Sequence, residues 1–436
     1  MLQIEITADD LVSALLNIAA NEPVCILDSC GVGHLGSHLL IAGIEPLSVS
    51  ELSGRSVEEN LSFVDDVVSN PSKASIFTIS YDFGNRLLNI TPRACDNGEP
   101  DVFLVQFEAL IIHDYETGET TIAGDATRIE STREKLFSHV SDARASSYSD
   151  IKVHSNFTRD EYFATIGSIK EQIRDGNTYQ TNLTHQLSAT LPDNLTPEII
   201  FDRLRHGHPA PFASFIKRPE STVISASPER FFRVDDQRIT TAPIKGTRPR
   251  GKNADEDAAL RNELLTSEKD RAENTMIVDL LRNDIGRICE FGSVTVEKLC
   301  DLEEHPTLFH LVSTISGQLC AGTKFSDILK AVFPCGSITG APKISTMRII
   351  DEIEPSPRGL SMGAIGYYVP NDVFGMPETL DLSVAIRTMV IRDSVATFNV
   401  GGGIVIDSDP EMEYNETLTK AEALLNAIGG SFESLL

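Results

Sequence analysis

The chain has 436 residues and a formal charge of −27, from 37 basic and 64 acidic side chains. So large an excess of acid argues against nucleic acid or an anionic membrane surface as a partner, because both require basic patches. Apolar residues make up 41% of the chain and no run of about 18 of them occurs, which predicts a globular protein without a membrane span.

The start of the chain and its cysteines predict a cytoplasmic protein. The segment MLQIEITADDLVSALL carries acids where a signal peptide carries basic residues. Seven cysteines occur without any CxxC pair, so neither a disulfide framework nor a structural zinc site is expected. Both features fit a reducing compartment.

The order of predicted elements divides the chain into two domains. Strand-like runs such as 24–27 and 102–107 are typical of the first, over residues 1–140, whereas the second, over residues 152–430, alternates long helices with short strands and hairpins. The Ser-rich segment from Ser138 to Asp150 is interpreted as their linker. Because strands and helices do not alternate regularly, the sequence favours an α+β fold with antiparallel sheets.

A hairpin is predicted within SASPERFFRVDDQRITTAPIKGTRPRG, the segment from residue 225 to residue 251. A turn centred on Asp236 pairs residues whose numbers sum to about 472, which places Lys245 opposite Ser227 and Glu229 opposite Pro243. A carboxyl and an amine would then meet near the open end of the hairpin. The alternative is a surface hairpin with a solvated lysine.

A buried carboxylate is predicted on the helix of SEKDRAENTMIVDLLRNDIGR, which a capping box begins at Ser267. Glu273 shares a face with Met276, Ile277 and Leu280. A carboxylate that faces a core requires a cation or a metal. The alternative is an acid that is favoured by the helix dipole, but Glu273 lies in the second turn, where that effect is weaker.

Two further segments contain candidate binding residues. His310 could orient a substrate or exchange a proton, although a packed core histidine is the commoner role. The segment CGSITGAPK lacks the Gly-Lys-Ser/Thr ending of a phosphate loop, and Pro342 predicts a helix start. That helix start and the Thr339 hydroxyl could bind a carboxylate; an ordinary helix start is the alternative.

Arg387 and two glutamates complete the candidates. Arg387 lies in LSVAIRTMVI, which is predicted to be a strand that is apolar on both faces, so its guanidinium needs a carboxylate ligand or an internal salt bridge. In VGGGIVIDSDPEMEYNETLTKAEALL, Glu413 and Glu416 share one face of a helix that starts at Asp409. Paired carboxylates suit Mg²⁺, and a Glu416–Lys420 surface pair is the alternative.

Together these segments resemble the chorismate-utilising enzyme family, which includes anthranilate, aminodeoxychorismate, isochorismate and salicylate synthases. The motifs follow the family's order over about residues 155–425 and are GNTYQTNLT, SPERF, PIKGTRPRG, AENTMIVDLLRNDIGR, GSITGAPK, AIRTMVI and GGGIVIDSDPEMEYNETLTKA. The segments CILDS and ISYDFGNRL are similar to the N-terminal domain of the first two synthases.

The resemblance implies a fold and a set of site residues. The fold is the anthranilate synthase type, in which antiparallel sheets pack as a sandwich with helices outside. It implies Mg²⁺ bound by Glu273 and Glu416 with support from Glu413. The substrate-binding residues that it implies are Gln180, Thr247, His310, Thr339, Gly340, Tyr367, Arg387, Gly402, Gly403 and Lys420.

Two positions distinguish the branches of the family. Gln180 stands where isochorismate and salicylate synthases carry a lysine that activates water, so the resemblance implies an amine as nucleophile. Lys245, in PIKGT, matches the aminodeoxychorismate branch, whereas anthranilate synthases carry PIAGT. That branch implies Lys245 as nucleophile and Glu229 as acid. The lysine must be neutral, and Arg248 and Arg250 are the candidate cations that lower its pKa.

The partners follow from the same resemblance. Chorismate and ammonia are the implied substrates, and ammonia is expected from a glutamine amidotransferase subunit in a heterodimer that serves 4-aminobenzoate and folate synthesis. The alternatives are the anthranilate branch and a catalytically silent protein that binds a ligand with this fold. The presence of Lys245 and of every candidate glutamate argues against the silent protein.

Overall fold

The computed structural model describes residues 1–34, 36–93, 97–139, 151–304 and 308–430. The predicted linker lies outside the described residues, apart from its first two positions. No helix in the described ranges is long and apolar enough to cross a membrane.

The described residues form strands and helices throughout both predicted regions. The helices are α1 (Ala8–Ala19), α2 (Val57–Val68), α3 (Tyr81–Leu87), α4 (Ala126–Ser138), α5 (Arg159–Arg174), α6 (Pro197–Gly207), α7 (Ala254–Thr266), α8 (Glu268–Gly286), α9 (Phe325–Val332), α10 (Lys343–Ile353) and α11 (Pro410–Ile428), with a short 3₁₀ turn at Gly336–Ile338. The strands of the first region are β1 (Leu2–Ile4), β2 (Val24–Asp28), β3 (Leu39–Ile44), β4 (Ser48–Leu52), β5 (Ala74–Ile79), β6 (Val102–Phe107), β7 (Ala109–Asp114) and β8 (Thr120–Gly124). Those of the second are β9 (Val153–Ser155), β10 (Gln180–Thr190), β11 (Phe212–Lys217), β12 (Thr222–Ser227), β13 (Arg230–Asp235), β14 (Arg238–Thr241), β15 (Ile244–Pro249), β16 (Thr295–Glu304), β17 (Leu308–Gln318), β18 (Gly340–Ala341), β19 (Ala364–Val369), β20 (Thr379–Val384), β21 (Thr388–Arg392) and β22 (Val395–Ile404).

These strands build two antiparallel sheets. The first has the order β1-β8-β7-β3-β2-β11-β12-β21-β22-β10-β18, with β9 beside β10. The second has the order β15-β17-β14-β13-β20-β19-β5-β6-β4, with β16 on the other side of β17. A core that includes Cys25 and Ile216 from the first sheet and Ile76 and Ile365 from the second lies between the two. The predicted α+β sandwich is therefore confirmed.

Helices cover the outer face of each sheet. Residues of α1, α4, α6 and α11 pack on the first sheet, where Leu15, Phe201 and Leu424 are fully buried. Residues of α2, α3, α8, α9 and α10 pack on the second. Burial of each large apolar side chain stabilises the fold by about 1.5–3 kcal/mol, so both helical layers are integral to the core.

Both sheets run across the predicted domain boundary. Strand β2 pairs with β11 in the first sheet, and β5 pairs with β19 in the second. Strands from 1–140 and from 152–430 thus complete each other's sheets. The division into two domains at this boundary stays a prediction.

The predicted hairpin exists, but its register and length differ from the prediction. Val234 is the partner of Ile239 and Asp235 of Arg238, which shifts the register by one residue. Strand β14 pairs with β13, but the next strand along the chain, β15, pairs with β17 and is not part of the hairpin. Pro243 explains the break, because proline has no N–H for the ladder. The expectation that Lys245 lies opposite Ser227 is therefore wrong.

A contact between α3 and Pro334 holds the segment that leads into the 3₁₀ turn. A Cβ atom on Gly84 would lie 2.3 Å from Cγ of Pro334, so glycine is required for this close approach. Helix α5 offers a matched glycine, because a Cβ atom on Gly167 would meet nothing within 4 Å.

We expect Gly84→Ala to destabilise the protein by about 1–3 kcal/mol, because the new methyl overlaps a rigid ring. Gly167→Ala should stabilise it by about 0.5–1 kcal/mol, since alanine favours a helix. Melting temperatures measured side by side test this pair. Equal melting of the two variants would contradict the close packing of α3 on Pro334.

Candidate active site

The candidate site lies where β10, β18 and β22 meet. Gln180 is the partner of Ala341, and Asn182 is the partner of Gly403. The backbone N–H of Asn182 also donates to the carbonyl of Thr339 at 2.8 Å. The structure therefore brings together five predicted residues, which are Gln180, Thr339, Gly340, Gly402 and Gly403.

Two glycines are required for this close packing. Gly340 has a φ of 138°, and a Cβ atom there would lie 2.0 Å from the carbonyl oxygen of Gln180. A Cβ atom on Gly403 would lie 2.1 Å from Nε2 of Gln180. Any side chain at either position would displace Gln180.

Several buried polar atoms at this junction have no hydrogen-bond partner among the described residues. They are both amide atoms of Gln180, Oγ1 of Thr181, Oδ1 of Asn182 and Oε1 of Glu229. Gln180 is completely buried. Leaving such a group unsatisfied costs about 1–3 kcal/mol, so this concentration of unpaired atoms indicates the place of a polar ligand.

Ser337 joins the two predicted catalytic groups. The ammonium of Lys245 donates to the carbonyl of Ser337 at 3.4 Å, and the Ser337 side chain lies near enough to the carboxyl group of Glu229 to act on its pKa. Burial raises the pKa of Glu229, although Ser337, Lys245 and Lys420 act in the opposite direction. Glu229 and Lys245 thus both lie beside the 3₁₀ turn rather than on a shared hairpin.

The two predicted cationic neighbours of Lys245 each form ion pairs with nearby carboxylates. Arg248 forms ion pairs with Glu263 at 2.8 Å and Asp270 at 3.1 Å, and Arg250 forms one with Asp257 at 2.6 Å. Their positive charges therefore act mainly on these carboxylates rather than on the amine of Lys245.

The predicted metal-binding acids come from α8 and α11. Glu273 and Glu413 each lie 3.9 Å from the ammonium of Lys269. Glu416 forms an ion pair with Lys420 at 2.7 Å. A Cβ atom on Gly402 would lie 3.3 Å from Glu413 and 4.0 Å from Glu416, so the glycine leaves room for this cluster.

The protonation of these acids depends on burial and on the lysines. Burial raises the pKa of Glu273, and the nearby Glu413 adds to this, while Lys245 and Lys269 oppose it. Burial also acts to raise the pKa of Glu416, but Lys420 and the other two lysines outweigh it, and the pKa is lowered. Glu416 is therefore biased towards its charged form and Glu273 towards its neutral form.

The carboxylates of this cluster are of the kind that hold Mg²⁺ in proteins. In the described part of the chain, no three His, Cys, Asp or Glu side chains are grouped as metal ligands. Glu273 and Glu413 nevertheless share one cation, the Lys269 ammonium. Two carboxylates with several waters are a common environment for Mg²⁺.

Arg387 lies in the connection between β20 and β21, with φ 48°, rather than inside a strand as predicted. Its carbonyl accepts a hydrogen bond from Ala226, which is close in sequence to Glu229. Burial lowers the pKa of Arg387, and no carboxylate of the described residues forms an ion pair with it. The predicted alternative of an internal salt bridge is thus not found in the described ranges.

His310 and Thr247 lie opposite each other on β17 and β15, with Nδ1 of the histidine 2.8 Å from the threonine hydroxyl. Thr247 is two residues from Lys245, so this pair borders the candidate site.

Tyr367 lies away from the other candidates. It lines a cavity of about 60 Å³ between the two sheets, where its charged neighbours are Asp381, Arg233 and Arg230 rather than Arg387. Side chains alternate between the two faces of a strand, and Tyr367 lies on the face of β19 that points into the core between the two sheets.

Sequence reasoning missed Ser337 and Lys269. Lys269 precedes Glu273 by four residues on one helix, a spacing that predicts contact and could have revealed it. The contact of Ser337 with Lys245 is made by a main-chain carbonyl, for which the sequence contains no signal.

The fold and this junction define a chorismate-binding enzyme, and the comparisons with known proteins agree. The chain belongs to the family described as chorismate binding enzyme, whose model matches residues 33–426. Anthranilate synthase component I from Streptococcus pneumoniae has a similar structure, with a TM-score of 0.77 at 28% identity, over 90% of this chain and 93% of that one.

Curated relatives fall in two branches of the family. Anthranilate synthase component 1 1 of Haloarcula marismortui is 43% identical over 63% of this chain and 54% of its own length. Aminodeoxychorismate synthase of Streptomyces pristinaespiralis is 43% identical over 64% of this chain and 38% of its own length. Aminodeoxychorismate synthase component 1 of Bacillus subtilis is 34% identical over 80% of this chain and 76% of its own length. The matched segments span about half or less of the first two relatives.

We expect Lys245→Met to raise the pKa of Glu229 further, because it removes a nearby positive charge from a buried carboxyl group. A pH titration of ¹³C-carboxyl-labelled glutamate by NMR measures this, with Glu229→Gln identifying the signal. Lys298→Met is the control, since Lys298 is exposed and pairs with Asp301. An unchanged titration in Lys245→Met would contradict the coupling of the two groups.

Proposed function

We propose that the chain is the chorismate-aminating component of an aminodeoxychorismate synthase, which converts chorismate and ammonia to 4-amino-4-deoxychorismate. The observation that supports this most directly is the convergence of Lys245 and Glu229 on Ser337, beside the unpaired amide of Gln180. An amine nucleophile close to a buried acid suits displacement of a hydroxyl group.

Glu229 acts as the general acid. Its burial favours the protonated form, so it can give its proton to the 4-hydroxyl of chorismate as that group leaves as water. Lys245, in its neutral form, attacks ring carbon 2 and forms a C–N bond. Ammonia then adds at carbon 4 and expels the lysine, which leaves the enolpyruvyl side chain in place.

The carboxylates of chorismate need positive or donor groups on either side of the ring. Arg387, which forms no ion pair with a carboxylate of the described residues, offers its planar guanidinium to the enolpyruvyl carboxylate, assisted by main-chain amides near Gly402 and Gly403. Glu273 and Glu416 would hold Mg²⁺, with Glu413 in support, and the ion would neutralise the ring carboxylate.

Ammonia is the second substrate in this proposal. We assign its supply to a glutamine amidotransferase subunit that forms a heterodimer with this chain, and we place both in the cytoplasm. The six cysteines in the described ranges are all free thiols, which is consistent with a reducing compartment.

Anthranilate synthesis is the second candidate, because relatives of equal identity carry that name. It aminates carbon 2 of the same substrate and releases pyruvate. Lys245 favours the first candidate, since the anthranilate branch carries alanine at this position.

The product distinguishes the two candidates. We expect the purified chain with chorismate, Mg²⁺ and an ammonium salt at mildly alkaline pH to consume chorismate without stoichiometric pyruvate. Addition of a lyase specific for 4-amino-4-deoxychorismate should then release 4-aminobenzoate and pyruvate together. Excess chelator, or glutamine in place of ammonium, should stop the reaction.

Fluorescent anthranilate and pyruvate formed by this chain alone would favour the second candidate. Chorismate that remains unchanged under every condition would instead favour a silent, ligand-binding protein.

Without ammonia, chorismate should accumulate as an adduct on Lys245, with the mass of chorismate less one water. Intact-mass spectrometry detects it and peptide mapping locates it. Lys245→Ala should abolish the adduct, whereas Lys298→Ala, at an exposed lysine that pairs with Asp301, should retain it. An adduct that persists in Lys245→Ala would refute covalent catalysis by this lysine.

A further inference from the structure

Arg358 is a buried arginine that no step of the proposed reaction uses. It lies between α10 and β19 and is 3% exposed. Its Nε and Nη2 atoms donate to the carboxylate of Glu354 at 2.8 Å and 2.7 Å, and its guanidinium stacks 4.5 Å from the ring centre of Tyr81. One carboxylate would satisfy a simple buried ion pair, yet Arg358 makes two further contacts.

These contacts reach two main-chain carbonyls. Nη1 donates to the carbonyl of Ile338 at 3.0 Å, and Nη2 donates to that of Asn182 at 2.7 Å. The guanidinium is rigid and planar, so four bonds to three fixed groups set the distance between the two backbone segments.

Both segments belong to the candidate site. Ile338 lies between Ser337, which contacts Lys245 and Glu229, and Thr339. Asn182 is the partner of Gly403 in the first sheet. The side chain of Arg358 thus connects the 3₁₀ turn to β10.

Glu354 extends this arrangement along β10. Its Oε1 atom accepts hydrogen bonds from the backbone N–H of Thr184 at 2.8 Å and from the Thr184 hydroxyl at 3.0 Å. Thr184 is in turn the partner of Gly401. The ion pair therefore holds the glycine-containing strands and the turn in one rigid unit.

We propose that Arg358 is a positioning residue, which places the Ser337 carbonyl and hydroxyl so that Lys245 and Glu229 meet the substrate correctly. The inference rests on the proposed function but not on the branch of chorismate chemistry. It acts through the backbone and needs no contact with substrate. Displacement of a reacting group by about 1 Å can reduce a rate by roughly 100-fold.

The variant Arg358→Lys tests this, because lysine keeps the charge but cannot bond three groups in one plane. We expect kcat for chorismate consumption to fall roughly 10- to 100-fold, with KM changed by less than about threefold. Arg218→Lys is the matched control. Arg218 is equally buried and pairs with Glu99 and Thr78, and its guanidinium lies 5.1 Å from the ring centre of Phe103. It should lose stability and keep kcat.

Hydrogen exchange provides a readout that is independent of activity. Arg358→Lys should speed exchange in peptides that cover residues 180–184 and 335–341, where the Asn182 amide bonds to Thr339. Arg218→Lys should leave these peptides unchanged. If Arg358→Lys does not fold, Glu354→Gln should give the same pattern with a smaller effect.

Equal kcat in Arg358→Lys and Arg218→Lys, or unchanged exchange at both segments, would overturn the proposal. A wild-type chain that consumes no chorismate would refute the proposed function instead. Exchange would then still decide whether Arg358 orders the two segments.

Discussion

The pairing of β10 with β22 is the constraint on which the site depends. It runs without interruption from Thr181 opposite Ile404 to Thr190 opposite Val395. A shift by one residue would turn every side chain to the other face of the sheet. This register aligns the glycines of β22 with Gln180 and its neighbours on one side and with the acids of α11 on the other. The backbone can approach both groups closely because these positions have no side chain.

Local compensation of charge is the second principle of the site. In a chain with a charge of −27, Lys245, Lys269 and Lys420 all lie near enough to Glu416 to lower the pKa of its carboxyl group. The distant acidic surface is screened over about 10 Å at 0.1 M salt, whereas charges in contact are not. A bound ligand therefore experiences mainly the charges of the site itself rather than those of the surface.

Features that depend on local chemistry could be predicted from the sequence. The starts of α8 at Ser267 and of α11 at Asp409 follow from capping, and the turn at Asp236 follows from hairpin preferences. The strand that pairs with β15, which contains Lys245, could not be predicted in the same way, because β17 lies far along the chain. The face of Tyr367 likewise depends on which side of β19 the other sheet covers. Without the resemblance, the residues of the site would have remained separate candidates.

The continuation of both sheets into the first 140 residues has a consequence for how this family diverges. Strands β2 and β5 join the second region through main-chain hydrogen bonds to β11 and β19. Such bonds are made by every residue except proline, so they place little demand on side-chain identity. Their loss would leave two long open edges, which promote aggregation. These pairings therefore tolerate changes of side chain at positions that packing does not restrict, and removal of the first region would expose both edges to pairing with other chains. The strands of the first region thus protect the edges of β11 and β19, although the proposed catalytic residues lie in the second region.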